Sequence, residues 1–217
     1  MDKIFKNRTD AARQLVGRLE KMNLADAVVL AVPRGGVPVG FEIAKTLQLP
    51  LDVFLSKKIG HPDNPEFAIG SVTLESSVLG NRAEYVDPEY LEEQTAAIRR
   101  QLRERYRRFR GGRQPLELQG KTVILVDDGV ATGNTLFAAI DDIRRKKPAK
   151  IIVAIAVAPP EAARKLSQRA DELVCLLVAD DFYAVGQFYE DFSTVEDEEV
   201  TALLRNFDKR ATEKGGK

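Results

Sequence analysis

The sequence predicts an α/β fold, a mostly parallel twisted sheet with helices on both faces, and three observations predict it. Apolar, β-branched runs alternate with helical patterns along most of the 217 residues. Most of those runs are apolar throughout rather than alternating, as strands covered on both faces are. The composition, 44% hydrophobic and 30% charged, is that of a globular chain long enough for one domain, or for one domain with a small appendage.

The elements follow in order. A first helix is expected over 10–22, where Leu15, Val16, Leu19 and Met22 share one face. Strand 27–32 (AVVLAV) leads into helix 37–47, and strands 51–55 and 67–74 come next. A long helix is expected to start at Asp87-Pro88, since proline suits a first turn, and to stop at Gly111-Gly112. This helix and its end are dense in arginine: Arg99, Arg100, Arg103, Arg105, Arg107, Arg108, Arg110 and Arg113. Strand 122–126 feeds helix 135–146, whose Leu136, Ile140 and Ile143 face inward. Strand 151–157, helix 161–170 and strand 173–177 complete the alternation. Thr194 and the acids Glu196 to Glu199 announce a C-terminal helix running to about 207.

Several classes are excluded at this level. Lys+Arg (33) balance Asp+Glu (33), so no global field argues for nucleic acid or for a membrane. The longest apolar run, 151–158, is far short of a membrane span. The first ten residues, MDKIFKNRTD, hold no signal-peptide core. Cys175 is the single cysteine and lies in the run LVCLL, which reads as a buried thiol in a reducing, cytoplasmic setting.

The chemistry concentrates in VILVDDGVATGNT, residues 123–135. Four apolar residues end on Asp127 and Asp128, and a loop of Gly129, Val130, Ala131, Thr132, Gly133, Asn134 and Thr135 opens the next helix. Loop amides and a helix N-terminus together make an anion site. Glycines permit positive φ and close approach, and the threonine hydroxyls can donate to phosphate oxygens. The loop matches neither a Walker pattern nor a dinucleotide fingerprint. Two carboxylates beside a phosphate would repel it, so they suit the adjacent vicinal hydroxyls of a sugar. A 5-phosphorylated ribose satisfies both halves; the bland alternative is a capped turn with Asp128 as the capping acid. Upstream, strand 27–32 ends in PRGGVP, where Arg34, Gly35 and Gly36 could close on a diphosphate. Lys57 and Lys58 follow the second strand. His61, the only histidine, reads as a loop residue more readily than as a base. No His, Cys and Asp cluster has metal-ligand spacing.

On these residues the chain resembles type I phosphoribosyltransferases, whose phosphoribosyl-pyrophosphate (PRPP) motif VILVDDGVATGNT matches. The order of NRTDA, PRGGVP, KKIGHPDNPEFAIG, RRFRGGRQP, that motif and AVGQFYEDF is similar to a group of predicted bacterial phosphoribosyltransferases of unassigned substrate. The resemblance implies one domain over 1–217. Its core would be about 24–75 and 118–180, with a helical insertion at 87–110 and a hood at 180–207. It implies that Asp127 and Asp128 hold the ribose 2- and 3-hydroxyls and that 130–135 cradle the 5-phosphate. Arg34, Gly35, Gly36, Lys57 and Lys58 would meet the pyrophosphate, in a loop that often carries a strained peptide bond. Asn134 stands where alanine is usual. Residues 182–192 are similar to the purine-binding segment of hypoxanthine-guanine phosphoribosyltransferases. By that likeness Tyr183 stacks on the base, Ala184 and Val185 offer backbone contacts, Arg169 reaches an exocyclic oxygen, and Glu190 or Asp191 lies near a Mg²⁺-diphosphate. The alternative is that this segment only covers the core. A homodimer is expected, as is a mobile cover at 76–81 or 110–119. The competing reading is a PRPP-sensing regulator whose arginine-rich helix binds RNA.

Overall fold

The computed structural model describes residues 4–215. The chain forms two compact units: one holds the residues up to Phe54 and from Gln114 onward, the other Leu55–Arg113.

The first unit is built on five strands: β1 (Ala27–Ala31), β2 (Leu51–Val53), β3 (Thr122–Asp127), β4 (Lys150–Ala158) and β5 (Glu172–Val178). Their order is β2-β1-β3-β4-β5, and all pairs are parallel. Every residue of β1, and all of β3 and β4 except Asp127 and Lys150, are buried, as the unbroken apolar runs required. Helices α1 (Arg8–Leu19), α2 (Gly36–Leu47) and α3 (Asp197–Gly215) pack together on one face, and α4 (Asn134–Arg145) and α5 (Pro160–Arg169) on the other. Helix α1 starts two residues earlier than its apolar stripe suggests. Asn7 caps it by accepting the Asp10 amide at 3.0 Å, while Asp10 accepts the Lys6 amide at 3.1 Å. Register then sets the site. Ala31 pairs with Val126, and the Val32 amide continues the ladder to the Val126 carbonyl at 2.9 Å. The chain leaving β1 and the acids leaving β3 are therefore side by side.

The second unit differs from a simple continuation of the alternating pattern. Ser56–His61, Asn64–Thr73 and Ser77–Leu79 form a separate antiparallel sheet, and Pro88–Arg110 is the long helix. The segment expected as strand 67–74 belongs to this small sheet. The helix buries Leu91, Ile98, Leu102, Tyr106 and Phe109, and it ends at Gly111, whose φ of +61° closes it. Arg105 and Arg108 lie over the Phe109 ring at 5.1 and 5.8 Å.

Candidate active site

The site lies beyond the carboxyl ends of β1 and β3, the position where open parallel sheets bind ligands. β3 ends at Asp127, and Asp128 is buried. The Asp127 carboxylate accepts the Asp128 amide through Oδ1 at 2.9 Å. Asp128 Oδ2 accepts Nε of Arg8 at 2.8 Å. Both acids are pushed above the ordinary carboxylate pKa. Burial is the main cause, repulsion from Asp128 adds to it for Asp127, and the Arg8 charge pulls both partly back.

The loop of β1 approaches this pair without any side chain between. A Cβ on Gly35 would stand 2.0 Å from Asp128 Oδ2, and one on Gly36 would stand 2.7 Å from the Val126 carbonyl oxygen. The peptide bond between Pro33 and Arg34 is cis. Arg34 is exposed and pairs with Glu196 at 3.0 Å.

Downstream, Ala131, Thr132, Asn134 and Thr135 are exposed, and Gly133 caps α4 with φ +77°. The Val130 amide donates to the Val157 carbonyl at 2.9 Å, so the cradle of available amides begins after it rather than at 130. Gly129 is not a positive-φ glycine. It is needed because a Cβ there would meet Val185 at 2.7 Å and Val157 at 2.8 Å. That contact sets Val185 beside the loop. Tyr183, two residues before it in the chain, is exposed, and its amide and that of Ala184 donate to Gln187 Oε1 at 2.8 and 3.0 Å.

Two residues that sequence reasoning did not single out complete this end. Arg8 also donates to the Ser193 carbonyl at 2.8 Å, and its guanidinium lies 4.0 Å from the Phe192 ring centroid. Tyr189 is fully buried and donates its hydroxyl to the Asp128 carbonyl at 2.6 Å. Burial, with the nearby Asp128 charge, raises the Tyr189 pKa and keeps it a donor. The NRTDA stretch contains Arg8 but does not show its role, because its partner is 120 residues away. Tyr189 sits in the aromatic run FYEDF, which marks a packed segment but not a hydrogen bond.

The other expected residues are placed as follows. Glu190 and Asp191 are exposed; their amides donate to the Phe5 and Lys6 carbonyls, and Asp191 Oδ1 accepts the Ser193 amide at 3.0 Å. No group of three His, Cys, Asp or Glu among the described residues could hold a metal ion. Lys57 and Lys58 are exposed on a strand of the second unit, where Lys57 donates to Gln101 at 2.8 Å. His61 accepts the Asp63 amide at 3.2 Å within its turn. Arg169 is a correction. It ends α5 ahead of the start of β5, so it lies at the amino ends of the strands, a strand length of roughly 20 Å from Tyr183. There it pairs with Asp141 at 3.1 Å and lies over Phe137, so it is not with the base segment. Cys175 is half-buried, and burial raises its pKa to about 11. No helix among the described residues is long and apolar enough to cross a membrane.

A parallel sheet with paired acids and an amide loop past its central strand defines a class, the α/β domains that take phosphorylated ligands at strand ends. The particular family is shown by comparison. The phosphoribosyl transferase domain model matches residues 2–193, and the chain belongs to that family. It is 41% identical over 209 residues to a protein of Mycobacterium tuberculosis strain H37Rv that provisionally bears the name phosphoribosyl transferase. The alignment covers 93% of this chain and 46% of that protein, so the chain spans about half the length of the curated relatives it matches. Among solved structures, TT1426 from Thermus thermophilus is 43% identical with a TM-score of 0.84, over 94% of this chain and 99% of that one. A purine phosphoribosyltransferase from Pyrococcus horikoshii shares the fold, with a TM-score of 0.50 and 19% identity over 90% and 99% of the two chains.

Proposed function

We propose that this domain transfers a 5-phosphoribosyl group from PRPP to a ring nitrogen of a nucleobase, of purine type. The observation that carries the reading is the acid pair at the end of β3, Asp128 buried and Asp127 half-buried, closed on one side by Gly35 and followed by an exposed loop capping α4. The amides of 131–135 and the α4 N-terminus take the 5-phosphate. Asp127 and Asp128 accept the ribose hydroxyls. The C1–diphosphate bond breaks and a C1–N bond forms, with the ring-nitrogen proton passing to solvent or diphosphate. Positive charge grows on the ribose as this happens, and the neighbouring carboxylates offset it. Arg34 leaves Glu196 to meet the departing diphosphate. Tyr183 is exposed and free to stack on a base beside Val185.

The donor set fits a Mg²⁺ ion that arrives on the diphosphate and keeps most of its waters, with Glu190 or Asp191 as the protein oxygen. When bound, it would neutralise the leaving diphosphate. A homodimer in a reducing cytoplasm belongs to the same proposal. A PRPP-sensing regulator draws no support from the relatives.

The test is to incubate the protein with PRPP, Mg²⁺ and a panel of bases and to measure pyrophosphate release. Release with a purine, lowered by about 10²–10³-fold after Asp128→Asn, is expected. Release unaffected by that substitution overturns the ribose assignment.

A further inference from the structure

Of the four carboxylate oxygens of the acid pair, the protein itself occupies two. Asp127 Oδ1 accepts the Asp128 amide at 2.9 Å, and Asp128 Oδ2 accepts Arg8 Nε at 2.8 Å. Arg8 is itself held from two further directions. Its Nη1 donates to the Ser193 carbonyl at 2.8 Å, and the Phe192 ring lies beneath the guanidinium at 4.0 Å. Only 11% of its side chain is exposed. It sits in the first turn of α1, whose start is fixed by Asn7 and Asp10. The main chain at Asp128 is held separately by the Tyr189 hydroxyl at 2.6 Å.

We infer that Arg8 is a positioning residue for ribose recognition: it clamps one oxygen of Asp128 and so presents Asp128 Oδ1 and Asp127 Oδ2, one from each acid, to a vicinal diol. The inference rests on the proposed function and deepens it by naming what orients the ribose contacts. A planar guanidinium suits the task because it donates in a fixed fork and stacks on Phe192, whereas an ammonium is a point charge that does neither. Arg8 also lowers the net charge beside the phosphate cradle. A bare pair of acids would repel the 5-phosphate; an acid pair carrying a clamped guanidinium repels it less. Because Arg8 also bonds Ser193, the segment after Tyr189 and the ribose acids are tied through one side chain.

The clamp separates two kinds of ligand. Inorganic phosphate needs only the amide loop, and ribose 5-phosphate needs the loop and the acids. Calorimetric titration of the whole protein with each, without Mg²⁺, gives the test. Groups that orient metal-binding side chains typically contribute about 10–100-fold in affinity, and a guanidinium orienting a sugar-binding carboxylate is expected to act on the same scale. Arg8→Gln is expected to weaken ribose 5-phosphate by a factor in that range and to leave inorganic phosphate within about twofold. Arg8→Lys is expected to recover part of the loss, and it decides the matter if the glutamine variant fails to fold. Equal weakening of both ligands would mean that Arg8 only supports the fold, and unchanged ribose 5-phosphate binding would mean no positioning role; either overturns the inference. If the unaltered protein binds phosphate but gains nothing from the ribose, the assignment of the acids falls first and the inference with it. Unaltered discrimination combined with an Arg8→Gln variant that keeps it leaves the proposed function standing and removes only Arg8.

Discussion

The two ends of the five-stranded sheet treat their acids in opposite ways. At the amino ends, Asp171 accepts Arg144 Nη1 at 2.8 Å and the Ile151 amide at 2.6 Å. Burial alone would raise its pKa, but those two hydrogen bonds and the charges of Arg144 and Lys150 outweigh burial and lower it. Nearby, Arg169 meets Asp141, and Lys150 meets Glu172. At the carboxyl ends, Asp127 and Asp128 are desolvated, adjacent, and share a single guanidinium, and both are pushed up. The difference teaches which end is built for its own stability. Acids satisfied by the protein have no capacity left for a ligand. Acids held in an unfavourable state by the fold are what a functional site looks like in free-energy terms.

The sharpest way to break this contrast is Asp128→Asn. The substitution keeps the volume and removes the charge that Arg8 meets and that the proposed ribose contact requires. Loss of about 10²–10³-fold in pyrophosphate release is expected, by analogy with removal of one preorganised transition-state contact. Steady-state assays against PRPP check it, and retention of most of the activity would place the working acids elsewhere.

Gly35→Ala comes next. Its Cβ would fall 2.0 Å from Asp128 Oδ2, and that oxygen cannot swing away without leaving Arg8. Overpacking of this kind costs about 1–3 kcal/mol. Lower thermal stability and weaker ribose 5-phosphate binding should appear together. A variant of wild-type stability that binds normally would show that the loop sits further from the acids than the geometry has it.

How much of this contrast was legible in the sequence depends on how local its cause is. Most strands of the large sheet were legible because they are long apolar runs such as AVVLA and IIVAIAVA; β2, with Asp52 at its centre, is the short exception. The acid pair and loop were legible because strand, acids, glycines and helix follow one another in thirteen residues. The small antiparallel sheet was not, because SKKIGH mixes exposed lysines with a single buried Ile59 and has no apolar period. Its pairing depends on a hairpin in which Gly60 lies against Pro65. The role of Arg8, inside the quoted NRTDA stretch, was hidden for the opposite reason: it is an ordinary helix-start residue until the fold brings Asp128 to it. Arg169 was misplaced because its position before a strand was matched to a family segment without asking which end of the strand it occupies. Val130 was counted among the phosphate amides because a parallel neighbour, β4, was not foreseen to claim its N–H.

At the satisfied end, Asp171→Ala should leave pyrophosphate release unchanged and lower stability. Asp171 is partly exposed, so about 1 kcal/mol is expected from the lost hydrogen bonds to Arg144 and Ile151. Its folded pKa is lowered, so the contribution is present above the unfolded carboxylate pKa and is lost as pH falls through the folded value. Thermal melts of wild type and variant should therefore converge in acid and diverge toward neutrality, with wild type the more stable. Divergence in the other direction would contradict the pairing.

Asp127→Asn gives the mirror image, an effect on stability opposite in sign to that of Asp171→Ala. The asparagine carbonyl can still accept the Asp128 amide, so the turn at the end of β3 is kept. Asp127 has a raised folded pKa, so the native state holds a proton that the unfolded chain has already released. Wild-type stability then falls as pH rises from the ordinary carboxylate pKa, about 4, toward the raised value, and the full penalty persists above it. The asparagine carries no such penalty, and its removal also relieves Asp128 of a repelling neighbour. The variant should therefore melt higher than wild type at neutral pH, by about 0.5–2 kcal/mol of stability, and match it in acid. The gap should change little with added salt, because buried charges are poorly screened. At the same time the variant should bind ribose 5-phosphate less well, since the oxygen that remains is a weaker acceptor than a carboxylate. A variant less stable than wild type at neutral pH would show that the pair is already neutralised by Arg8, and that both ends of the sheet are satisfied by the fold alone.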